Sequence, residues 1–260
     1  MLYLDNRPIT LLQGSGASDA VSTISTIEVP AEMPGSTSRA LICDPVGKVI
    51  DAPYIVNDDA GMILLHSTEQ KPKYLTALAR TLSKSGGLVL DATEAINRIV
   101  TNERDDASKF SVSIGGLGVD SSWAIALAES NITPNDGIFE VYNQEVAMRI
   151  GGLTEHHLNG NFLPHHIALL DYVTLQNGCY PGQEVHAKID ARTSITKRMV
   201  RLICETSTDA RTIRTDTGSF RLIHPCINGY THAICDDDVE DGDHFYNNTK
   251  VTAKTICTAL

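Results

Sequence analysis

Asn177-Gly178-Cys179-Tyr180-Pro181-Gly182-Gln183-Glu184 sets one cysteine between two glycines, with a carboxylate and basic residues just beyond. Pro181 followed by Gly182 suits the two central positions of a type II turn, where proline presets φ and glycine takes the positive φ. Gly178 lets the backbone pass close to another segment or adopt a conformation denied to other residues. Connecting loops this constrained often carry function. The loop would hold Cys179 in one place, with Gln183 and Glu184 about a turn further on. The competing reading is an ordinary Pro-Gly turn, a small buried thiol and a solvated glutamate. Local chemistry alone leaves these two readings balanced.

The stretch resembles the signature Lys-Gly-Cys-Tyr/Phe-x-Gly-Gln-Glu, followed by Ala-Arg and Arg-Gly, of the YgfZ-type folate-binding proteins, relatives of the glycine-cleavage T-protein. Gly178, Cys179, Tyr180, Gly182, Gln183 and Glu184 match, and Ala187 and Arg192 follow. Asn177 replaces the lysine, Lys188 the first arginine, and Thr193 the glycine after Arg192. The resemblance implies an α+β, T-protein-like folate-binding fold of related α/β subdomains, with a central opening where a pterin could lie. It implies a folate-binding domain over residues 1–198, with a subdomain break near 103–110, and a short β-barrel-like module over 199–260. The implied cofactor is tetrahydrofolate or a derivative. The implied role is accessory to the assembly or repair of iron–sulfur enzymes, including tRNA-modifying ones, so those enzymes or assembly factors are the expected partners. Gly178, Tyr180, Gly182, Gln183, Glu184, Lys188 and Arg192 are the motif positions expected at the folate site.

Two further features bear on which branch of the family is meant. T-proteins lack the motif cysteine, so Cys179 favours the YgfZ-type branch and is the expected reactive thiol. Gly47-Lys48-Val49-Ile50-Asp51-Ala52 is similar to the T-protein strand Gly-Gly-x-x-Asp-Asp, with Ala52 in place of the second acid. Asp51 is therefore the expected acid on the folate side, able to hydrogen-bond a pterin ring. With half the acid pair missing, a folate-dependent aminomethyltransferase or demethylase is the alternative rather than the leading reading.

Composition narrows the classes. The net charge of −11 argues against general nucleic-acid affinity, which needs clustered Lys and Arg. Between residues 185 and 214, however, Lys188, Arg192, Lys197, Arg198, Arg201, Arg211 and Arg214 outnumber Asp190, Glu205 and Asp209. That basic strip could attract the glutamate tail of a folate. No stretch approaches the ~20 apolar residues of a membrane span, and the N-terminal residues lack a secretory pattern, so a cytoplasmic protein is expected. The six cysteines form no CxxC pair, which disfavours zinc-ribbon and ferredoxin-type sites and points to reduced thiols.

Secondary structure follows from spacing. Ile9 to Gly14 reads as a strand, and Ser18-Asp19 opens a short helix. Ala40–Cys43 and Val49–Val56 read as a hairpin about Asp44-Pro45-Val46-Gly47. Met62–His66, Leu88–Leu90 and Ile96–Thr101 read as strands, and Leu75, Leu78, Ala79 and Leu82 lie at helical spacing before Gly86-Gly87. Phe110–Ile114 reads as another strand, with Asp120 capping a helix through Trp123 to Leu127. Ile138–Val141 and Val146–Ile150 look like a hairpin, and Pro164 opens a helix to about Tyr172. Met199–Cys204, Phe220–Ile223, Tyr230–Ile234 and Val251–Cys257 are the expected strands of the C-terminal module. His156-His157 and His165-His166 suggest a metal, but neighbours in a pair diverge, so each pair offers one ligand at best and no metal is expected. The acidic run Asp236 to Asp243 fits a calcium loop poorly and reads as a solvated surface loop. Gly115, Gly116 and Gly118 do not form a GxGxxG, so no dinucleotide site is expected.

Overall fold

The computed structural model describes residues 1–29, 33–103, 112–115, 122–130, 139–191, 196–226 and 228–256. The first part of the chain carries β1 (Leu2–Asp5), β2 (Ile9–Gln13), helix α1 (Ala17–Ser22), β3 (Thr37–Arg39), β4 (Ile42–Cys43), β5 (Val49–Asp51), β6 (Tyr54–Asp58) and β7 (Gly61–Leu65). Helix α2 (Leu75–Ser83), β8 (Leu88–Asp91), β9 (Ile96–Thr101), β10 (Val112–Gly115), β11 (Ala124–Glu129), β12 (Glu140–Val141) and α3 (Gln144–Ile150) follow. Two 3-10 turns, Pro164–Ile167 and Leu170–Tyr172, then lead to α4 (Gln183–Asp190). The chain ends in β13 (Lys197–Cys204), β14 (Thr212–Arg214), β15 (Ser219–Leu222), β16 (Tyr230–Asp236), β17 (Gly242–Tyr246) and β18 (Thr249–Thr255).

Two five-stranded sheets, ordered β10-β11-β9-β1-β12 and β3-β6-β7-β2-β8, form the first layers. Alternation along the strands of the second sheet explains its position. Ile9, Val56, Ile63 and Leu65 face Tyr3, Val100, Trp123, Ile125 and Leu127 of the first sheet's core. Leu12, Ile55, Met62 and Leu64 point the other way, against Val21 of α1 and Leu75, Leu78 and Leu82 of α2. Period two in the strands and period 3.6 in α2 thus bury both faces of one sheet. Each fully buried aliphatic side chain contributes about 1.5–3 kcal/mol.

The last six strands make one antiparallel sheet, β14-β15-β16-β13-β18-β17. A third core joins it to the rest. Leu41, Cys43 and Val49 of the β4–β5 hairpin meet Phe162, Ile167 and Leu169, and these meet Met199 and Ile234. The segment after α3 therefore wedges between the hairpin and the terminal sheet.

Several local expectations change. Trp123 to Leu127 is not helical: Ala124–Glu129 pairs antiparallel with β9 along its whole length. Ile125 and Leu127 face one core, and the intervening alanines are small enough for a crowded sheet centre. The expected cap, Asp120, lies outside the described residues. Val146–Ile150 is helix rather than strand, because Asn143 Oδ1 accepts from Val146 N at 3.0 Å and Gly151, at φ +83°, ends the helix. Ala52-Pro53 splits the expected Val49–Val56 strand in two, since proline cannot donate to a ladder. The helix expected from Pro164 becomes two 3-10 turns broken at Ala168, whose φ is +57°. Phe110 and most of the glycine turn near 116–118 lie outside the described residues.

Candidate functional site

The cysteine loop is held from three sides. Gly182 sits at φ +85°, ψ 0°, the third position of a type II turn, and Gln183 N closes the turn on Tyr180 O at 3.3 Å. Gln183 Nε2 donates back to Leu175 O at 3.2 Å and Asn177 O at 3.1 Å, which staples the loop to its own start. Asn177, where the resemblance expects lysine, donates through Nδ2 to Ser25 O at 3.0 Å just beyond α1. His186 Nε2 donates to Gly47 O at 2.8 Å, while its Nδ1 lies 3.3 Å from the hydroxyl of buried Tyr180. The carbonyl of Gly47 only accepts, so Nε2 must carry a proton.

The loop thereby rides on the Asp44–Gly47 turn. A Cβ on Gly182 would stand 2.3 Å from Gly47 Cα and 2.9 Å from Asp44 O, both backbone atoms that cannot step aside. Gly182→Ala is therefore expected to cost about 2–3 kcal/mol, from the left-handed conformation and the clash together. Urea denaturation against the wild type measures it.

Gly178 behaves otherwise than expected. It is exposed, its φ is not positive, and no atom lies within 4 Å of where its Cβ would be. Neither close approach nor backbone strain demands glycine there. Cys179 is exposed, whereas Cys43, Cys204, Cys226 and Cys235 are buried. Glu184 and Lys188 lie on the exposed face of α4. Arg192 and Cys257 lie outside the described residues.

Asp51 is fully buried. Its Oδ1 accepts from Ala52 N at 2.8 Å and Ser67 N at 3.0 Å, and its Oδ2 lies 2.8 Å from both His66 Nδ1 and the Tyr74 hydroxyl. Burial pushes its carboxyl up. The bond from His66, the His66 charge, the Ser67 amide and the Tyr74 hydroxyl outweigh that and hold it below the usual carboxylate range. Tyr74 is pushed well up by burial and by Asp51. The carboxylate is spent tying β5, β7 and the start of α2 together.

The large cavity lies elsewhere, about 550 Å³ in volume, between the first sheet, α3 and the segment 153–156. Met148, Leu153 and Tyr142 supply its apolar walls, and Arg7, Glu69, Glu145, Glu155, His156 and His224 its polar groups. None of the described motif residues lines it, nor does Asp51. Of these groups only His156 stood out in the sequence. The others come from strand ends, loops and the first turn of α3, which carry no motif.

Arg7 is fixed by Asp5, with its Nε 2.9 Å from Oδ1, and by donation to Ser67 O at 3.1 Å. Its guanidinium centre lies 4.9 Å from the centre of the Tyr142 ring. Opposite, Gln144 Nε2 donates to Glu69 Oε1 at 3.0 Å, and its Oε1 lies 3.2 Å from His156 Nε2. Burial, a hydrogen bond to Glu69 and that neighbour's charge raise Glu155 above the ordinary carboxyl range. Both acids line the cavity, where a ligand's N–H edge could meet them.

Behind the wall runs a chain of imidazoles. Thr154 N donates to His157 Nδ1 at 3.0 Å, so the proton of neutral His157 sits on Nε2, 2.8 Å from His232 Nδ1. His224 Nδ1 donates to Pro225 O at 2.7 Å. Burial lowers all three, His157 well below its ordinary value, His224 to about 4 and His232 to about 3. The adjacent pair diverges as expected, His156 toward the cavity and His157 inward. Among the described residues no group of three or more His, Cys, Asp or Glu is placed to hold a metal ion.

Three residues of the basic strip are engaged. Lys197 pairs with Asp236 at 2.8 Å and Arg198 with Asp241 at 3.0 Å, while Arg201 donates to Arg149 O at 2.7 Å. The acidic run is thus the partner of the strip rather than a purely solvated loop. That leaves less free charge for a folate tail than the sequence implied.

No protein-family model matches this chain, and no curated protein matches it in sequence. Among solved structures, the chain is similar to the crystal structure of glycine cleavage system aminomethyltransferase T from Bartonella henselae. The TM-score is 0.60 over 98% of this chain and 84% of that one, at 9% identity. The chain therefore has a T-protein-like fold. Among the described residues no helix is long and apolar enough to cross a membrane.

Proposed function

We propose that this protein binds tetrahydrofolate or a derivative in the 550 Å³ cavity and acts as an accessory factor for iron–sulfur enzymes, including tRNA-modifying ones, in the cytoplasm. The cavity is the observation that carries the folate reading. Its volume lies within the range of small-molecule sites. Its donor set suits a reduced pteridine: apolar walls for the ring faces, and Glu69 and Glu155 as acceptors for the amino and ring N–H groups. Arg7 and His156 also line it.

The accessory role rests on the resemblance of the Cys179 loop, and exposure of that thiol supports it. Asp51 weighs against the alternative of aminomethyl transfer, because a carboxylate enclosed by four donors is not free to act on a substrate. The related subdomains and a terminal β-barrel-like module belong to the same proposal. So do the motif positions Gly178, Tyr180, Gly182, Gln183, Glu184, Lys188 and Arg192, as the platform that presents the thiol rather than as the lining of the cavity.

Complementation tests it. Wild type should restore the activity of an iron–sulfur tRNA-modifying enzyme in a strain lacking its YgfZ-type protein, and Cys179→Ala should not. Equal rescue by both would remove the thiol from the account.

A further inference from the structure

A second cavity of about 20 Å³ lies behind the first and shares Arg7, Ser67, Tyr142 and Leu153 with it. Three guanidinium groups, those of Arg7, Arg39 and Arg98, line it. Among the described residues one carboxylate, Asp5, answers them. Its Oδ2 is 2.6 Å from Arg7 Nη2 and 2.9 Å from Arg98 Nε, the second contact close in distance but not aligned as a hydrogen bond. Arg98 is 1% exposed and spends Nη1 on His66 O at 2.6 Å.

Arg39 has no carboxylate partner among the described residues. Its guanidinium lies 4.5 Å from the centre of the Tyr54 ring and 5.4 Å from that of Tyr172, and its buried Nε has no hydrogen-bond partner. The cluster therefore holds two positive charges in excess. Arginine does not shed its proton at neutral pH, and charge is costly where it is buried without a full partner, as at Arg98, and less so at half-buried Arg7 and Arg39. Burial and Arg7 accordingly lower Arg98 to about 10, against the pull of Asp5.

We propose that this inner cavity is a monoanion site, where a carboxylate- or halide-sized group lies among Arg39, Arg98 and Arg7. The group is either a free anion or the carboxylate of a molecule filling the larger cavity. The space is small, which favours a carboxylate or a halide over phosphate or sulfate. Planar guanidinium forks match a carboxylate, and the ring faces of Tyr54 and Tyr142 shield the site. The proposal stands apart from the folate reading, since it requires only the arginine excess.

The test is titration of the full chain with formate and with bromide at constant ionic strength, using sulfate as the balancing salt. Saturable binding of both is expected, with formate about tenfold weaker in Arg39→Gln, the loss of one charge-assisted contact. Crystals grown in bromide should show an anomalous peak between Arg39 and Arg98, a readout that needs no variant. Competition identifies the source: tetrahydrofolate that expels formate supplies its own carboxylate, and simultaneous binding marks a free anion. No saturable response to either anion, or an unchanged one in a folded Arg39→Gln, overturns the proposal. So does an empty bromide map.

Discussion

Asp51→Ala is expected to lower the unfolding free energy by about 3–5 kcal/mol, because it strips a buried carboxylate acceptor from four donors at once. The His66 ring and the amides of Ala52 and Ser67 have no water to turn to, since His66, Ala52 and Ser67 are each 2% exposed or less. His66 also bonds Thr10 through Nε2 at 2.9 Å, so its loss reaches β2. Hydrogen bonds to a charged group are worth about 1.5–3 kcal/mol each, and donors left buried add their desolvation cost. Urea denaturation followed by circular dichroism measures the change. An Asp51 that served mainly as an open ligand site would cost under about 1 kcal/mol on removal, and that result would contradict the structural role.

Acid is the second large lever. His157, His224 and His232 have folded-state pKa values below the ordinary 6.5, the last two at about 4 and 3. Between those values and 6.5 the unfolded chain takes up protons that the folded chain refuses. Stability is therefore complete above about pH 6.5 and falls as the pH drops, by up to about 1.4 kcal/mol per unit for each histidine. The three together amount to a loss on the order of 4 kcal/mol by pH 5.5. Asp5 and Asp51, held below their ordinary 3.8, add their own loss only in more acid solution, below that value. Denaturation midpoints from pH 7.5 to 5 test the window. A flat profile there would mean that the imidazole chain charges without cost.

The legible part of this protein was the part written in turns and periodicity. The leucines of α2, four of the six strands of the terminal sheet and the Pro181-Gly182 turn follow from local rules and took their expected form, whereas β14 and β17 were not foreseen. The Trp123–Leu127 stretch misled because alternation in a crowded sheet and helical spacing both accommodate Trp-Ala-Ile-Ala-Leu. The pairing with β9 decides between them, and that contact is non-local. Val146–Ile150 misled through its β-branched ends, while Asn143 and Gly151 held the capping signal.

The site was legible in a different sense. The motif located a constrained, exposed thiol, and Gly182 is required as read, but Gly178 is not. The cavity was invisible, because Arg7, Glu69, Tyr142, Glu155 and His224 come from five separate segments that only the tertiary fold brings together. Asp51 sits in the expected strand but is buried and held by His66 and Tyr74. An acid at the expected position in a strand can be turned inward by a neighbouring histidine and tyrosine.

The most direct measurement is a calorimetric titration of tetrahydrofolate into the wild-type chain and into the Glu69→Gln, Glu155→Gln double variant. Both acids lie at the cavity wall rather than in a core, so the variant should keep its fold. The account predicts saturable one-to-one binding to the wild type, weakened about tenfold or more when the acceptors are lost. Absence of saturable binding, or equal affinity in the double variant, would contradict it.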